Sequence, residues 1–492
     1  MKFIVPVLAA AAIALASGTA LAQPRTDLVL GVVLEPPHLD PTAGAAAAID
    51  EIVYANVFEG LTRIGPSGEV LPALSESWEI SDDGLTYTFK LHEGVTFHDG
   101  APFTSADVVF SLDRARAEDS TNAQKGLFAA IESVEATDPA TVTVTLSRPQ
   151  GGFLYNMGWG DAVIVSEASA GTNTENPVGT GPFRFESWAR GSSIVLVKNP
   201  DYWGDEVALE RAEFRIIPDA AAAVPAMLSG DIQAFPMFPP DAYEQVQGDP
   251  RFEVVIGSTE GETLLSMNNG REPFDNVEVR RAISYAVNRD EVIAGASNGL
   301  GTPIGSHFSP ANAAYVDLTG TYPYDPERAK ELLAEAGLAD GFSATIKLPP
   351  PPYARQGGEI IAAQLRQVGI NLEIQPVEWA DWLSTVFTDK DYDLTIISHT
   401  EPNDIDIYSR PDYYFDYQNP AFNEVIAELD VTADEAQRNE LYGQAQEILA
   451  EDAPVVFLFQ LPKVGVWDAK LEGLWENMPV QANDLTKVHW TE

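Results

Sequence analysis

The chain has 492 residues, of which 45% are apolar, enough to bury a large core in about two to four domain-sized units. It carries 74 acidic side chains against 29 Lys and Arg, and a net charge of −45 argues against nucleic-acid binding, because such a field repels polyanions. The absence of cysteine excludes disulfides, thiolate nucleophiles, zinc–thiolate sites and a lipid-anchored lipoprotein.

The first 22 residues differ from the rest of the chain. Lys2 gives a positive start, residues 3–16 are apolar apart from one proline, and Ala20-Leu21-Ala22 has the small-x-small pattern of a cleavage site. This pattern is typical of a secretory signal peptide rather than a membrane helix. We therefore expect a free periplasmic protein that begins at Gln23.

Apolar and alternating runs predict strands through the first half of the chain. These strands cover residues 28–33, 85–91, 141–146, 194–197 and 214–217. Thr104 or Ser105 is a predicted helix N-cap, because Val108, Val109 and Leu112 follow at helical spacing.

The second half alternates helices and strands, which predicts an α/β unit. Asp325 is a predicted N-cap with Pro326 at the first helical position, and Thr432 with Glu435 has capping-box spacing. The other predicted elements are helices over 277–289 and 355–368 and strands over 370–374, 392–397 and 455–459.

Six longer segments carry a recognisable pattern in a fixed order. They are residues 56–63 (NVFEGLTR), 71–114, 176–188 (NPVGTGPFRFESW), 197–204 (VKNPDYWG), 277–292 and 324–337 (YDPERAKELLAEAG). In this order and spacing they resemble the peptide/nickel solute-binding proteins of ABC importers, which form extracellular solute-binding family 5.

The resemblance implies two α/β lobes joined by two crossing segments, with an extra N-terminal subdomain. Lobe one would comprise residues 23–58, 178–268 and 481–492, the extra subdomain 59–177, and lobe two 269–480. The ligand would bind in the cleft between the lobes. The expected protein is a monomeric receptor without a cofactor, which delivers a dipeptide, oligopeptide or similar solute to an inner-membrane permease and its cytoplasmic ATPases.

The resemblance also suggests ligand contacts in lobe two. Arg355 matches an arginine that can hold a ligand carboxylate in peptide binders, and the alternative is a solvated side chain in the first helical turn. Peptide binders pair the ligand α-amine with an aspartate where this chain has Ser398. Either Glu401, Asp404 or Asp406 supplies the missing charge, or the ligand is a sugar, an opine or another polar or cationic metabolite.

Aromatic residues are frequent in the same region, and Trp379 and Tyr413 are the predicted cleft contacts, with core packing as the alternative. The histidine spacing predicts no metal site, and neither a G-x-S-x-G nor an HExxH motif is present. We therefore expect a protein that is not an enzyme. A secreted hydrolase and a purely sensory or chaperone role remain as alternatives.

Overall fold

A computed structural model of the chain describes residues 25–491 apart from positions 45 and 402. The predicted signal peptide and the predicted mature start at Gln23 lie outside these residues. Within the described range, no helix combines the length and the apolar character needed to cross a membrane.

The described residues form a mixed α/β structure. Its strands are β1 (Asp27–Val32), β2 (Thr62–Ile64), β3 (Val70–Pro72), β4 (Ser75–Ile80), β5 (Thr86–Leu91), β6 (Ile131–Asp138), β7 (Thr141–Leu146), β8 (Phe183–Ala189), β9 (Ser193–Lys198), β10 (Arg211–Ile216), β11 (Ala234–Phe235), β12 (Phe252–Met267), β13 (Thr302–Pro303), β14 (Phe342–Leu348), β15 (Ile370–Pro376), β16 (Leu394–His399), β17 (Val455–Asp468), β18 (Leu471–Glu472) and β19 (His489–Trp490). Its α-helices are α1 (Ala47–Val53), α2 (Ser105–Arg116), α3 (Phe153–Asn156), α4 (Ala220–Ser229), α5 (Val277–Ala286), α6 (Arg289–Ala296), α7 (Pro326–Glu335), α8 (Pro352–Arg366), α9 (Trp379–Trp382), α10 (Pro420–Val431) and α11 (Glu435–Asp452).

One large sheet runs through the molecule in the order β15-β14-β16-β12-β17-β11-β1-β10-β9-β8, with β13 paired to β17. Its two longest strands, β12 and β17, pair antiparallel near the middle of this order. Their register shifts between Ser258 and Glu262, so the ladder is interrupted there. A separate antiparallel sheet has the order β4-β5-β7-β6.

Separate hydrophobic cores lie along this framework. One core packs β5 and β7 against α2, another surrounds β1, β9 and β10, and a third lies between α5, α8 and β14. The residues of the first core fall between 61 and 164, inside the range predicted for the extra subdomain. The domain boundaries themselves remain a prediction.

The fold confirms several local expectations and corrects two. Thr104 forms a capping box with Asp107, and Asp325 caps α7. The helix predicted over 277–289 was wrong in length: α5 ends at Ala286, because Asn288 accepts a hydrogen bond from the backbone of α6 and starts a second helix.

The second correction concerns the start of α11. Thr432 was predicted as its N-cap, but Asp434 accepts the hydrogen bond from the Gln437 backbone. The Thr432 hydroxyl instead donates to the Glu428 carbonyl at the end of α10. An aspartate directly before the helix competes better for this position than a threonine two residues earlier.

Candidate functional site

A cavity of about 900 Å³ opens where the β12–β17 ladder is interrupted. Segments that are distant in the chain meet around this cavity. They are α1, the C-terminal end of α6, the N-terminal end of α8, the residues after β16, and parts of β12 and β17. The residues that line it are Gly44, Ala47, Asp50, Tyr54, Gln124, Trp159, Gly160, Asp161, Met237, Pro239, Pro240, Asp241, Thr259, Glu260, Ala296, Ser297, Asn298, Pro352, Tyr353, Gln356, Thr400, Glu401, Leu461, Pro462, Met478, Pro479, Val480 and Gln481.

Asp50 and Asp161 form one acidic pair in the wall. Asp161 is 6% exposed, and in each residue the Oδ1 atom is buried without a hydrogen-bond partner among the described residues. Burial raises the pKa of Asp161 to about 7. Burial also raises the pKa of Asp50 well above its usual value, and the charges of Asp161 and Glu51 raise it further. The pair is therefore costly to ionise while the cavity contains no cation.

Two further acids of the wall are Glu260, on β12, and Glu401, just after β16. Glu260 is 8% exposed and its Oε2 atom is buried without a hydrogen-bond partner in the described part of the chain. Burial raises the pKa of Glu260 to about 7; a hydrogen bond from Asn312 opposes this rise and the charge of Asp404 adds to it. Glu401 is exposed at the cavity wall.

A buried cluster of His307, Asp404, His399 and Glu262 adjoins these two acids. The imidazole Nε2 of His307 lies 2.7 Å from Asp404 Oδ1, and its Nδ1 lies 3.3 Å from the Tyr408 hydroxyl. Burial alone would raise the pKa of Asp404, but its interactions with His307, followed by those with His399 and Arg410, together outweigh this and lower it. Burial lowers the pKa of His399 to about 4, so its ring is neutral near pH 7.

The same cluster has the composition of a metal site, which the histidine spacing along the chain did not reveal. Glu262, His307 and Asp404 place one donor atom each within 4.8 Å of one another, as do His399, Glu401 and Asp404. Imidazole with carboxylate suits a divalent transition metal. The direct His307–Asp404 hydrogen bond also explains the grouping without an ion.

Among the predicted acidic contacts, the fold places Glu401 at the cavity and Asp404 beneath it. The Asp404 side chain already accepts a hydrogen bond from His307, so it has less capacity for a ligand ammonium group than an exposed acid. Asp406 pairs with Arg410 one helical turn along, at 3.0 Å. Neither Asp404 nor Asp406 is among the described lining residues.

Arg355 and Ser398 lie behind the wall. The Arg355 guanidinium donates to the Val377 carbonyl and to the Glu378 carboxylate, the latter at 3.1 Å. Glu378 thus occupies the position that the sequence predicts for a ligand carboxylate. The Ser398 hydroxyl is buried without a partner among the described residues. Its backbone N–H faces the Tyr353 hydroxyl, and it is Tyr353 that reaches the cavity.

The two predicted aromatic contacts belong to an aromatic cluster instead of the described cavity wall. Trp379 is 42% exposed and meets Trp382 edge-on at 5.9 Å between ring centroids. Tyr413 packs against Phe387, and its ring lies 5.6 Å from the guanidinium carbon of Arg410. The Tyr413 contacts fit the packing alternative, while Trp379 is too exposed for a core residue. A role of either ring in ligand contact stays a prediction.

The sequence prediction missed the buried acids Asp50, Asp161 and Glu260. Asp161 stands within an otherwise apolar or small-residue stretch, Gly158-Trp159-Gly160-Asp161-Ala162-Val163, whereas Asp50 and Glu260 each have another acid within two residues. That signal was present, but it is weak in a chain with 74 acidic residues. Only the folded arrangement distinguishes these acids from solvated ones.

Comparisons with known proteins give a consistent family. The family model described as "Bacterial extracellular solute-binding proteins, family 5 Middle" matches residues 69–404. The dipeptide-binding protein of Escherichia coli (strain K12) is 31% identical over 448 residues, covering 80% of this chain and 82% of that protein.

Two solved structures show the same architecture. The periplasmic binding protein DppA from Helicobacter pylori, in complex with the peptide STSA, is 28% identical with a TM-score of 0.75, covering 95% of this chain and 98% of that one. The murein tripeptide-binding protein MppA, in its unliganded open form, has a TM-score of 0.83 at 22% identity, covering 96% and 99%. The predicted two-lobed periplasmic-binding-protein fold is thus confirmed.

The family match covers more than half of the chain, and the dipeptide-binding relative is similar over most of its own length. The family consists of solute-binding proteins of ABC importers. This chain therefore belongs to the bacterial extracellular solute-binding proteins of family 5.

Proposed function

We propose that this protein is the secreted, monomeric receptor of an ABC importer and that it captures its solute in the 900 Å³ cavity described above. The observation that carries the proposal is the composition of the wall, which combines segments from all three predicted parts of the chain. A solute held there contacts both lobes at once. The size suits a dipeptide, a short oligopeptide or a similar small organic solute.

A lobe closure follows from this proposal. The TM-score is higher with the unliganded open form of MppA than with the peptide complex of DppA, 0.83 against 0.75. That difference supports an open arrangement of the lobes in the present structure. A solute drives closure only if it binds the closed form more tightly than the open form.

Small-angle scattering and thermal shift test the proposal together. The protein is first screened for thermal stabilisation with fractionated periplasmic extract, because a bound solute stabilises the native state by RT ln(1 + [L]/Kd). A fraction that stabilises it should also reduce the radius of gyration. Failure of every fraction to stabilise the protein would contradict a receptor function, and stabilisation without compaction would contradict closure.

Secretion is tested by intact-mass measurement. The mature protein recovered from a periplasmic extract should begin at Gln23 and behave as a monomer. A species in that extract that retains residues 1–22 would contradict the proposed processing.

Catalysis is not part of the proposal. Peptides and other solutes that bind should be recovered chemically unchanged after prolonged incubation, as checked by mass spectrometry. Turnover of any of them would support the hydrolase alternative instead.

A further inference from the structure

The buried acids of the cavity wall are not explained by the overall acidity of the chain. An excess of acidic residues accounts for exposed side chains such as Asp241 and Glu401, which remain solvated. It does not account for Asp161 and Glu260, which are 6% and 8% exposed. A carboxyl group placed in that environment requires compensating donors.

The donors of the described residues do not reach every oxygen of these acids: Asn312 hydrogen-bonds Glu260 and the Gln124 backbone hydrogen-bonds Asp161. Oδ1 of Asp50, Oδ1 of Asp161 and Oε2 of Glu260 are buried without a hydrogen-bond partner. None of the lining residues is Lys, Arg or His. The buried Lys463 follows two lining residues in β17, but its amine donates to the Trp475 carbonyl. A solute with donor groups would supply the partners that these three oxygens lack.

The remaining wall fits an organic cation better than a bare metal ion. Tyr54, Trp159 and Tyr353 contribute aromatic rings, and Met237 and Met478 add apolar surface. Aromatic faces attract ammonium and guanidinium groups, and apolar surface packs against methylene chains. A metal ion with ligands at about 2.0–2.3 Å would leave most of a 900 Å³ cavity unfilled.

The acids of the wall come from different parts of the fold. Asp50 and Glu260 lie in ranges predicted for lobe one and Asp161 in the extra subdomain, whereas Glu401 lies in the range predicted for lobe two. Closure of the lobes would bring acids from both sides of the cavity onto one solute. A solute with a cationic group towards each end satisfies both sides.

Building on the proposed receptor function, we infer that the captured solute is an organic cation with at least two ammonium or guanidinium groups on a flexible chain, of the class of polyamines and basic dipeptides. An ammonium group offers three donors and a guanidinium five, which match the unpartnered carboxylate oxygens. The apolar wall holds the chain between them.

Isothermal titration of the full mature protein tests this inference with spermidine and lysyl-lysine as probes. N-acetylated spermidine and alanyl-alanine are the matched probes with fewer charges. We expect at least one charged probe to bind about 100-fold or more tightly than its matched probe. Asp161→Asn and Glu260→Gln should each weaken it about 30-fold or more, because each removes one partner of a desolvated charge pair.

Glu244→Gln is the control, since Glu244 is exposed near the Met237–Asp241 segment but does not line the cavity. It should bind the probe within threefold of the wild type. Thermal melting of each variant establishes that it folds.

Three results would overturn the inference. One is binding of neither charged probe while a neutral or anionic solute stabilises and compacts the protein, which would leave the receptor function intact. Another is unchanged affinity in both cavity variants. The third is tight binding of ZnCl₂ or NiCl₂ alone with the same sensitivity to Asp161→Asn and Glu260→Gln, which would make the site a metal site. Absence of any stabilising solute would instead contradict the proposed function itself.

Discussion

Replacing Asp161 by asparagine should make the stability of the protein less dependent on pH. The Asp161 carboxyl is buried beside Asp50, which is itself close to Glu51, and burial raises its pKa from 3.8 to about 7. The unfolded chain ionises this group near pH 4, whereas the folded chain holds the proton to about pH 7. Its contribution to stability is therefore fully present below about pH 4 and is lost as the pH rises through 7.

The magnitude follows from the two pKa values. A rise from 3.8 to about 7 amounts to roughly 4 kcal/mol of unfavourable free energy for the ionised form, because each factor of ten corresponds to about 1.4 kcal/mol. Most of the loss falls between pH 5 and pH 8, where the wild type should lose about 2–3 kcal/mol through this group. Asparagine has nearly the same shape and does not titrate, so that part of the loss should vanish.

Urea denaturation at pH 5 and pH 8, without added solute, measures the effect. The difference in unfolding free energy between the two pH values should be about 2–3 kcal/mol smaller in Asp161→Asn than in the wild type. Glu244→Gln, which changes an exposed acid, serves as the control and should keep the wild-type difference. Equal pH dependence in the wild type and Asp161→Asn would refute the assignment of a buried, proton-holding carboxyl.

Four other substitutions test packing and pairing by denaturation. Asp404→Ala should lower the unfolding free energy by about 3–5 kcal/mol, because it leaves the buried His307 without its 2.7 Å partner; a loss under 1 kcal/mol would show that this pair is unimportant for stability. Gly179→Ala should destabilise by at least about 2 kcal/mol, since a methyl group there would clash with a backbone carbonyl, whereas Gly126→Ala has open space and should change stability by less than about 1 kcal/mol; equal effects would contradict the packing. Arg355→Ala should cost less than about 1 kcal/mol, because its acidic partner is exposed, and a larger loss would indicate a role that the ion pair does not explain.

Local features of this protein were determined by the sequence itself. Alternating residues over 141–146 form β7 with the predicted bounds, and Thr104 and Asp325 cap the helices that follow them. These features depend on neighbours within a few residues, so the local pattern contains the required information. The order and spacing of the longer segments also sufficed to indicate the family and its two-lobed fold.

The site was decided by tertiary structure. Asp50, Asp161 and Glu260 become candidate ligand contacts only because segments far apart in the chain meet where β12 and β17 lose register. Sequence position predicted Asp404 as a ligand contact, but a side chain 97 residues away, His307, holds its carboxyl in a buried hydrogen bond. Ionisation and hydrogen-bonding capacity depend on burial and on such non-local partners, which neither composition nor spacing specifies.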